Sequence, residues 1–221
     1  MDFVDKKIME YVINNSEDEP ELLKELAKET YQKILQPRML SGHPQGRILS
    51  LLSKIIRPKR ILEIGTYTGY GTICLAEGLG KDGKIITIDK NEEIVKFQNK
   101  YFDKSGFRDK IIQLNGDALD LIKTLDDKFD IIFLDADKEN YIEYYKSISN
   151  KLNNGGILIS DNVLWSGKVL ESNKSDDIET KVLNEFNQIL KDDKKFETII
   201  IPIRDGISIS CLLYTSPSTR D

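Results

Sequence analysis

From Arg60 onward the chain alternates between two kinds of segment, and this alternation restricts the fold more than any single motif. Short apolar runs stand at Arg60–Ile64, Lys84–Ile88, Lys110–Leu114, Phe129–Leu134 and Gly156–Ser160. Between them lie stretches with helical spacing, at Gly71–Gly78, Glu92–Ser105, Ala118–Leu125 and Asn140–Leu152. Runs that are apolar throughout belong to strands covered on both faces. Strands separated by helices are joined by right-handed crossovers and form a parallel sheet. A further helix is expected near Asp176–Leu190, then strands at Phe196–Ile201 and from Gly206. The turn Pro202–Gly206 is too short for a crossover, so the sheet should end with one reversed strand. The expected architecture is α/β, with a seven-stranded, mostly parallel sheet and helices on both faces.

Three helical segments precede the first strand. Asp2–Asn14 places Phe3, Ile8, Tyr11 and Val12 on one face. Glu21–Leu35 follows Pro20, a residue suited to a helix start. After a loop at Gln36–Pro44, a third segment carries Ile48, Leu49, Leu52 and Ile56 and ends at Pro58. Residues 1–58 are expected to cap the core of residues 59–210, the two together making a single domain. A length of 221 residues fits one domain of ordinary size. The formal net charge of -5 gives no global attraction to nucleic acid or anionic membrane. No apolar run approaches the roughly 20 residues of a membrane span. No signal peptide is expected from the acidic opening MDFVDKKIMEYVINN. Cys74 and Cys211 lack metal-ligand spacing and imply reduced thiols and a cytoplasmic location. The tail Cys211–Asp221 does not continue the preceding strand and is expected to be non-native or disordered.

The connection after the first strand holds Gly65, Gly69 and Gly71, spaced G-x-x-x-G-x-G rather than as in dinucleotide binders. Such a turn offers backbone N–H groups to an electron-rich ligand. By itself it fits a plain tight connection equally well. In open α/β sheets, ligands bind beyond the carboxyl ends of the strands. There the chain places Glu63, Asp89, Asp117, Asp135 and the pair Asp161-Asn162. Single acids at such positions often cap helices, but the full series points to a ligand. Asp89 stands where ribose hydroxyls are bound, roughly 20 residues after the glycines. Asp117 and Ala118 could hold an adenine amino group and leave room for the ring. The turn has no lysine, and a row of carboxylates repels pyrophosphate. A cationic ligand with ribose and adenine fits better, which points to a sulfonium such as S-adenosylmethionine. Asp135, Asp161 and Asn162 supply oxygen donors suited to Mg²⁺, Mn²⁺ or Ca²⁺ rather than to structural zinc.

At these residues the chain resembles the cation-dependent class I O-methyltransferases, the group of the caffeoyl-CoA and catechol enzymes and their bacterial relatives. The motifs are LEIGTYTGYG (Leu62–Gly71), ITIDKNEE (Ile86–Glu93), GDA (Gly116–Ala118), FLDADKENY (Phe133–Tyr141) and SDNVLWSGKV (Ser160–Val169). The loop QPRMLSGHPQG (Gln36–Gly46) is similar to that of the bacterial members. The resemblance implies a Rossmann-like methyltransferase fold and a homodimer. It implies S-adenosylmethionine among Glu63, Gly65, Thr66, Tyr70, Gly71, Asp89, Asp117, Ala118 and Asp135, with Met39 and Ser41 closing over it. Asp135, Asp161 and Asn162 would hold the metal. Lys138 matches the position of the proposed general base in catechol-type enzymes, although a solvated helix-start lysine fits as well. Trp165 would wall the substrate pocket or simply pack. The implied reaction is methylation of a hydroxyl on a catechol-like or other vicinal-dioxygen phenolic. Some bacterial proteins of similar sequence instead methylate a hydroxylated wobble uridine in tRNA, for which Arg38, Arg47, Arg57, Lys59, Arg60 and Lys168 would form a local basic patch. His43, the only histidine, is expected to be a plain loop residue.

Overall fold

The computed structural model describes residues 4–171 and 176–214. Seven strands form one sheet: β1 (Arg60–Ile64), β2 (Lys84–Asp89), β3 (Ile111–Asn115), β4 (Phe129–Leu134), β5 (Leu152–Asp161), β6 (Phe196–Ile201) and β7 (Ile207–Leu212). Their order across the sheet is β3-β2-β1-β4-β5-β7-β6. The first five pair in parallel, and β7 runs antiparallel to both β5 and β6. The one reversed strand expected is β7, and it lies second from the edge with β6 outside it. A short hairpin fixes the relative direction of two strands but not which of them docks on β5.

Among the described residues eight α-helices accompany the sheet: α1 (Lys6–Asn14), α2 (Glu21–Lys33), α3 (Gly42–Ile56), α4 (Tyr70–Ala76), α5 (Val95–Lys104), α6 (Ala118–Lys123), α7 (Tyr141–Ile148) and α8 (Ile178–Asp192). Side chains alternate across the strands, as the pleat requires. Ile61, Ile131, Phe133, Ile157 and Ile159 pack with Leu23, Leu26, Leu49, Cys74 and Phe102 from α2–α5. Leu62, Ile64, Ile132, Leu134 and Leu158 pack with Ile122, Tyr141, Ile148, Leu183 and Phe186 from α6–α8. Each such fully buried side chain contributes roughly 1.5–3 kcal/mol. Because α2 and α3 supply Leu23, Leu26 and Leu49, they form part of one helical layer of the core. By contrast, α1 buries none of its side chains.

Boundaries differ from expectation at several places. The β5 strand begins four residues early, at Leu152, with a register irregularity opposite Phe129 and Ile131. Its first half carries Asn153, Asn154 and Gly155, which give no apolar signal. Cys211 and Leu212 extend β7, Cys211 pairing with Ile157 and Leu212 with Phe196. The expected tail thus starts two residues later at the earliest. Its residues 215–221 lie outside the described residues, as do Asp2 and Phe3 of the first expected helix. Among the described residues no helix is long and apolar enough to cross a membrane.

Candidate active site

A cleft of 1220 Å³ opens beyond the carboxyl ends of the central strands, where the strand order reverses between β1 and β4. Gly65 sits at this point with φ of +101°, and a Cβ there would lie 1.9 Å from the Asp135 carbonyl oxygen. Only glycine lets the ends of β1 and β4 come this close. Asp89, ending β2, accepts from the N–H groups of Tyr67 (2.7 Å) and Asn91 (2.8 Å), one on each carboxylate oxygen. It fixes the glycine turn and still presents lone pairs to the cleft it lines. The Tyr67 hydroxyl contacts the carbonyls of Leu35 (3.3 Å) and Gln36 (3.2 Å), tying down the segment that carries Met39.

Glu63 is buried beneath the turn, 1% exposed, beside a cavity of 10 Å³ that Ser41, Gly65, Gly71 and Asp135 also line. That cavity shares Met39, Gly65, Tyr67 and Asp135 with the large cleft. Its Oε2 accepts from the hydroxyls of Thr72 (2.5 Å) and Thr87 (2.6 Å). Since Thr87 donates to Glu63, the 2.6 Å contact between Thr66 and Thr87 has Thr66 as donor. Glu63 Oε1 faces Gly71, where a Cβ would stand 2.8 Å away. Burial pushes the Glu63 carboxyl up to about 8; the Thr72 and Thr87 hydroxyls oppose this, and the negative charges of Asp135 and Asp89 add to it. A cation arriving here would favour the ionised form.

The other end of the cleft is built by the ends of β4 and β5. Lys138 is 7% exposed and donates to Asp135 Oδ1 (3.0 Å) and the Tyr141 hydroxyl (2.9 Å). Tyr141 in turn donates to the Asp161 carbonyl (2.9 Å). Burial pulls the Lys138 ammonium down, but Tyr141, Asp135 and Asp161 outweigh it and hold its pKa above the ordinary lysine range. Asp161, 4% exposed, accepts from the Gln45 amide on Oδ2 (2.6 Å) and from the Asn162 N–H on Oδ1 (2.7 Å). Burial, then the charge of Asp135, raises its carboxyl above the usual carboxylate range against the pull of Lys138, Gln45 and Asn162. Asn162 follows with φ of +59°, a conformation asparagine tolerates. Trp165 has φ of +46°, unusual for so bulky a residue, and its Nε1 donates to Asp177 at 3.4 Å. Among the described residues no third acid, histidine or cysteine joins Asp135 and Asp161. Two carboxylates and an amide, all oxygen donors, fit a hard divalent cation that keeps positions open to water or substrate.

Met39, Gly65, Asp89, Asp117, Ala118, Asp135, Lys138, Asp161, Asn162 and Trp165 all line the large cleft; Ser41, Glu63, Thr66, Tyr70 and Gly71 line the small cavity. Two of these are otherwise engaged. The Tyr70 hydroxyl donates to Glu19 at 2.5 Å, and the Thr66 hydroxyl is spent on Thr87. Asp117 both lines the cleft and caps α6 through the Asp120 N–H (3.2 Å), so capping and ligand placement coincide. His43 lies in the first turn of α3, its ring bonded to the Glu17 carbonyl at 2.8 Å, away from the cleft. Of the basic residues considered for RNA, Arg47, Arg60 and Lys168 are tied to Glu77, Asp127 and Asp177. Gln45, Tyr141 and Arg204 were not singled out by the sequence. For Gln45 a signal existed: it shares the i, i+4, i+8 stripe of α3 with buried Leu49 and Ser53, a polar residue in an inward-facing row.

A seven-stranded sheet of this order, with one reversed strand and a crevice at the switch point, is the architecture of the Rossmann-like methyltransferases. The chain belongs to the O-methyltransferase family, whose model matches residues 13–212. It is an S-adenosylmethionine-dependent enzyme of the caffeoyl-CoA O-methyltransferase type. It is 34% identical over 215 residues to caffeoyl-CoA O-methyltransferase 1 of Arabidopsis thaliana, covering 91% of this chain and 83% of that protein. Among solved structures, it is similar to the O-methyltransferase TomG of Streptomyces achromogenes, involved in tomaymycin synthesis, in complex with SAM. The TM-score is 0.86 at 27% identity, over 94% of this chain and 96% of that one. The O-methyltransferase of Bacillus cereus in complex with SAH gives a TM-score of 0.86 at 26% identity, over 93% and 97%.

Proposed function

We propose that the protein transfers the methyl group of S-adenosylmethionine to one hydroxyl of a small phenolic bearing two vicinal oxygens, with a divalent cation, Mg²⁺ or else Mn²⁺ or Ca²⁺, held by Asp135, Asp161 and Asn162. The observation that carries this is the meeting of two half-sites in one cleft: Gly65, Asp89 and Asp117 on one side, Asp135, Lys138, Asp161 and Asn162 on the other. The cation would orient the two acceptor oxygens and lower the pKa of the reacting hydroxyl. Asp89 would take the ribose hydroxyls, Ala118 would leave room for adenine, and Glu63 would offset the positive charge of the cofactor. Met39 and Ser41 would close over it. S-adenosylmethionine would supply the methyl as a sulfonium, the carbon–sulfur electron pair staying with sulfur as the acceptor oxygen takes the methyl group, and the acceptor proton would pass to Lys138 or to water. Lys138 can take it only after losing its own proton, which Asp135 and Tyr141 now hold in place. As an ammonium it would instead stabilise the ionised acceptor. Holding both reactants in line supplies several kcal/mol, of order 7 in well-oriented cases.

Methyl transfer from labelled cofactor to catechols and thioester-linked phenolics, with and without Mg²⁺, tests this reading. Asp161→Ala should abolish the metal-dependent rate and keep cofactor binding; transfer that persists without added metal would sink the mechanism. Two further readings concern assembly and location. Exposed Ile8, Tyr11 and Val12 on α1, with Leu51 and Ile55 on α3, suit a homodimer, which light scattering at monomer mass would overturn. Cys74 and Cys211 stand unpaired, which suits a reducing cytoplasm.

A further inference from the structure

Arg204 occupies the turn between β6 and β7 with φ of +49°, in the left-handed region that long side chains rarely adopt. The turn is bonded to the loop that follows β5: Val163 N–H donates to the Gly206 carbonyl (3.1 Å) and Leu164 N–H to that of Asp205 (2.9 Å). Arg204 is thereby set beside the loop that carries Asn162 and Trp165, and it lines the same cleft as both. Its Nη1 donates to the Leu40 carbonyl at 2.7 Å. A guanidinium has five N–H donors, so one bond fixes its place and leaves the others to a ligand. Among the described residues Arg204 makes no ion pair. Of the other cations lining the cleft, Lys33 and Lys138 are paired with Glu29 and Asp135, whereas Lys90, next to Asp89 at the end of β2, makes no ion pair among the described residues. Arg38, two residues before the Leu40 carbonyl that Arg204 holds, also lines the cleft without an ion pair among the described residues. The acceptor end thus combines an acid pair suited to a cation with the Arg204 guanidinium, suited to an anion.

We propose that Arg204 is an anion-recognition point for the methyl acceptor, so that the preferred acceptor carries a carboxylate or phosphate group in addition to its vicinal oxygens. The proposal rests on the vicinal-dioxygen reading above and specifies its substrate class. An arginine fork pairs two oxygens of a carboxylate or phosphate at once, which gives orientation as well as affinity. A neutral catechol could enter the cleft in two senses, presenting either hydroxyl to the cofactor. An anionic substituent held by Arg204 would select one of them, so Arg204 would also determine which hydroxyl is methylated.

The test uses the full chain saturated with S-adenosylhomocysteine and Mg²⁺. Calorimetry compares 4-methylcatechol, 3,4-dihydroxybenzoate and 3,4-dihydroxybenzylphosphonate. The wild type should bind at least one anionic catechol about tenfold more tightly than the neutral one, as a charge-assisted pair allows. Arg204→Met should bring that ratio to within about twofold, and Arg204→Lys should fall between, because it keeps the charge and loses the fork. Added salt should shrink the wild-type ratio. The arm with the larger gain identifies the anion as carboxylate or phosphate. If Arg204 serves only to fasten the Leu40 carbonyl, Arg204→Met weakens all three ligands alike and the ratio stays unchanged, which overturns the proposal. A wild-type ratio near one overturns it as well, while binding of 4-methylcatechol in that case leaves the vicinal-dioxygen reading standing. Failure of all three to bind removes both.

Discussion

At the scale of single residues, the proposed metal half-site depends on a side chain far from it in sequence. The Gln45 amide reaches Asp161 Oδ2 at 2.6 Å and is itself 1% exposed. It donates one of the two hydrogen bonds that orient this carboxylate; the other comes from the Asn162 N–H. It also favours the ionised form of Asp161 against burial and the nearby charge of Asp135. Removing a group that orients a ligand typically costs 10–100-fold in metal affinity. Gln45→Leu, close in volume, is therefore expected to weaken Mn²⁺ binding about 10–100-fold, measured by electron paramagnetic resonance on the complex with S-adenosylhomocysteine. Gln45 lines neither cavity, so affinity for S-adenosylhomocysteine itself should be retained. An unaltered Mn²⁺ affinity would reduce Gln45 to a packing residue.

At the scale of elements, the segment between α2 and α3 is held over the cleft by few bonds. Tyr67 reaches the carbonyls of Leu35 and Gln36, while Arg204 reaches that of Leu40. A hydrogen bond of this kind is worth about 1 kcal/mol, roughly a fivefold change in an equilibrium. Tyr67→Phe should raise the dissociation constant of S-adenosylhomocysteine roughly fivefold and speed amide exchange over residues 34–41, with exchange in β1 and β4 unchanged. Equal exchange in both proteins would show that the segment needs no such tether. This segment also marks the limit of what the sequence discloses about elements. The strands β1, β2 and β4 were legible nearly to the residue, because strands covered on both faces are apolar throughout and end abruptly at an acid or glycine. The start of β5 was not, since Asn153, Asn154 and Gly155 enter the sheet where pairing with β4 shifts register. Nor was the start of α3, which begins at Gly42 and includes Pro44 within its first turn, where proline needs no donor. Left-handed Trp165 and Ser166 lie beyond any local pattern, because the loop is held by bonds to the distant β6–β7 turn.

At the scale of the whole molecule, the acids of the site were legible because a parallel sheet brings every strand end to one edge. Arg204 was hidden, and Gln45 was marked only as a polar residue in an inward-facing row, because tertiary packing, not topology, brings them there. The same convergence of acids has a consequence for global stability. Glu63 has a carboxyl raised to about 8, chiefly by burial. Below the ordinary glutamate range both folded and unfolded chains hold this proton, and the group has no effect. As pH rises from about 4.5 to 8 the unfolded chain releases the proton while the folded one keeps it, so the folded state loses stability across that window. Glu77 acts in the opposite sense. Burial opposes its ionisation, but Arg47, Lys54 and Ser50 outweigh burial and hold it down to about 2, so the stability it contributes is lost as pH falls from about 4.5 towards 2. Stability of the ligand-free protein should therefore peak on the acid side of neutrality. Glu63→Gln, which cannot ionise, should remove the part of the alkaline decline due to Glu63. Urea unfolding between pH 5 and pH 8 should show the variant gaining on the wild type as pH rises. A stability difference constant over that range would mean that Glu63 is already ionised in the folded protein. The cationic cofactor should act in the same direction as the substitution, by drawing the proton off Glu63. Binding of S-adenosylmethionine near pH 7 should then release close to one proton in the wild type and markedly less in Glu63→Gln, a difference that calorimetry in buffers of unequal ionisation enthalpy measures.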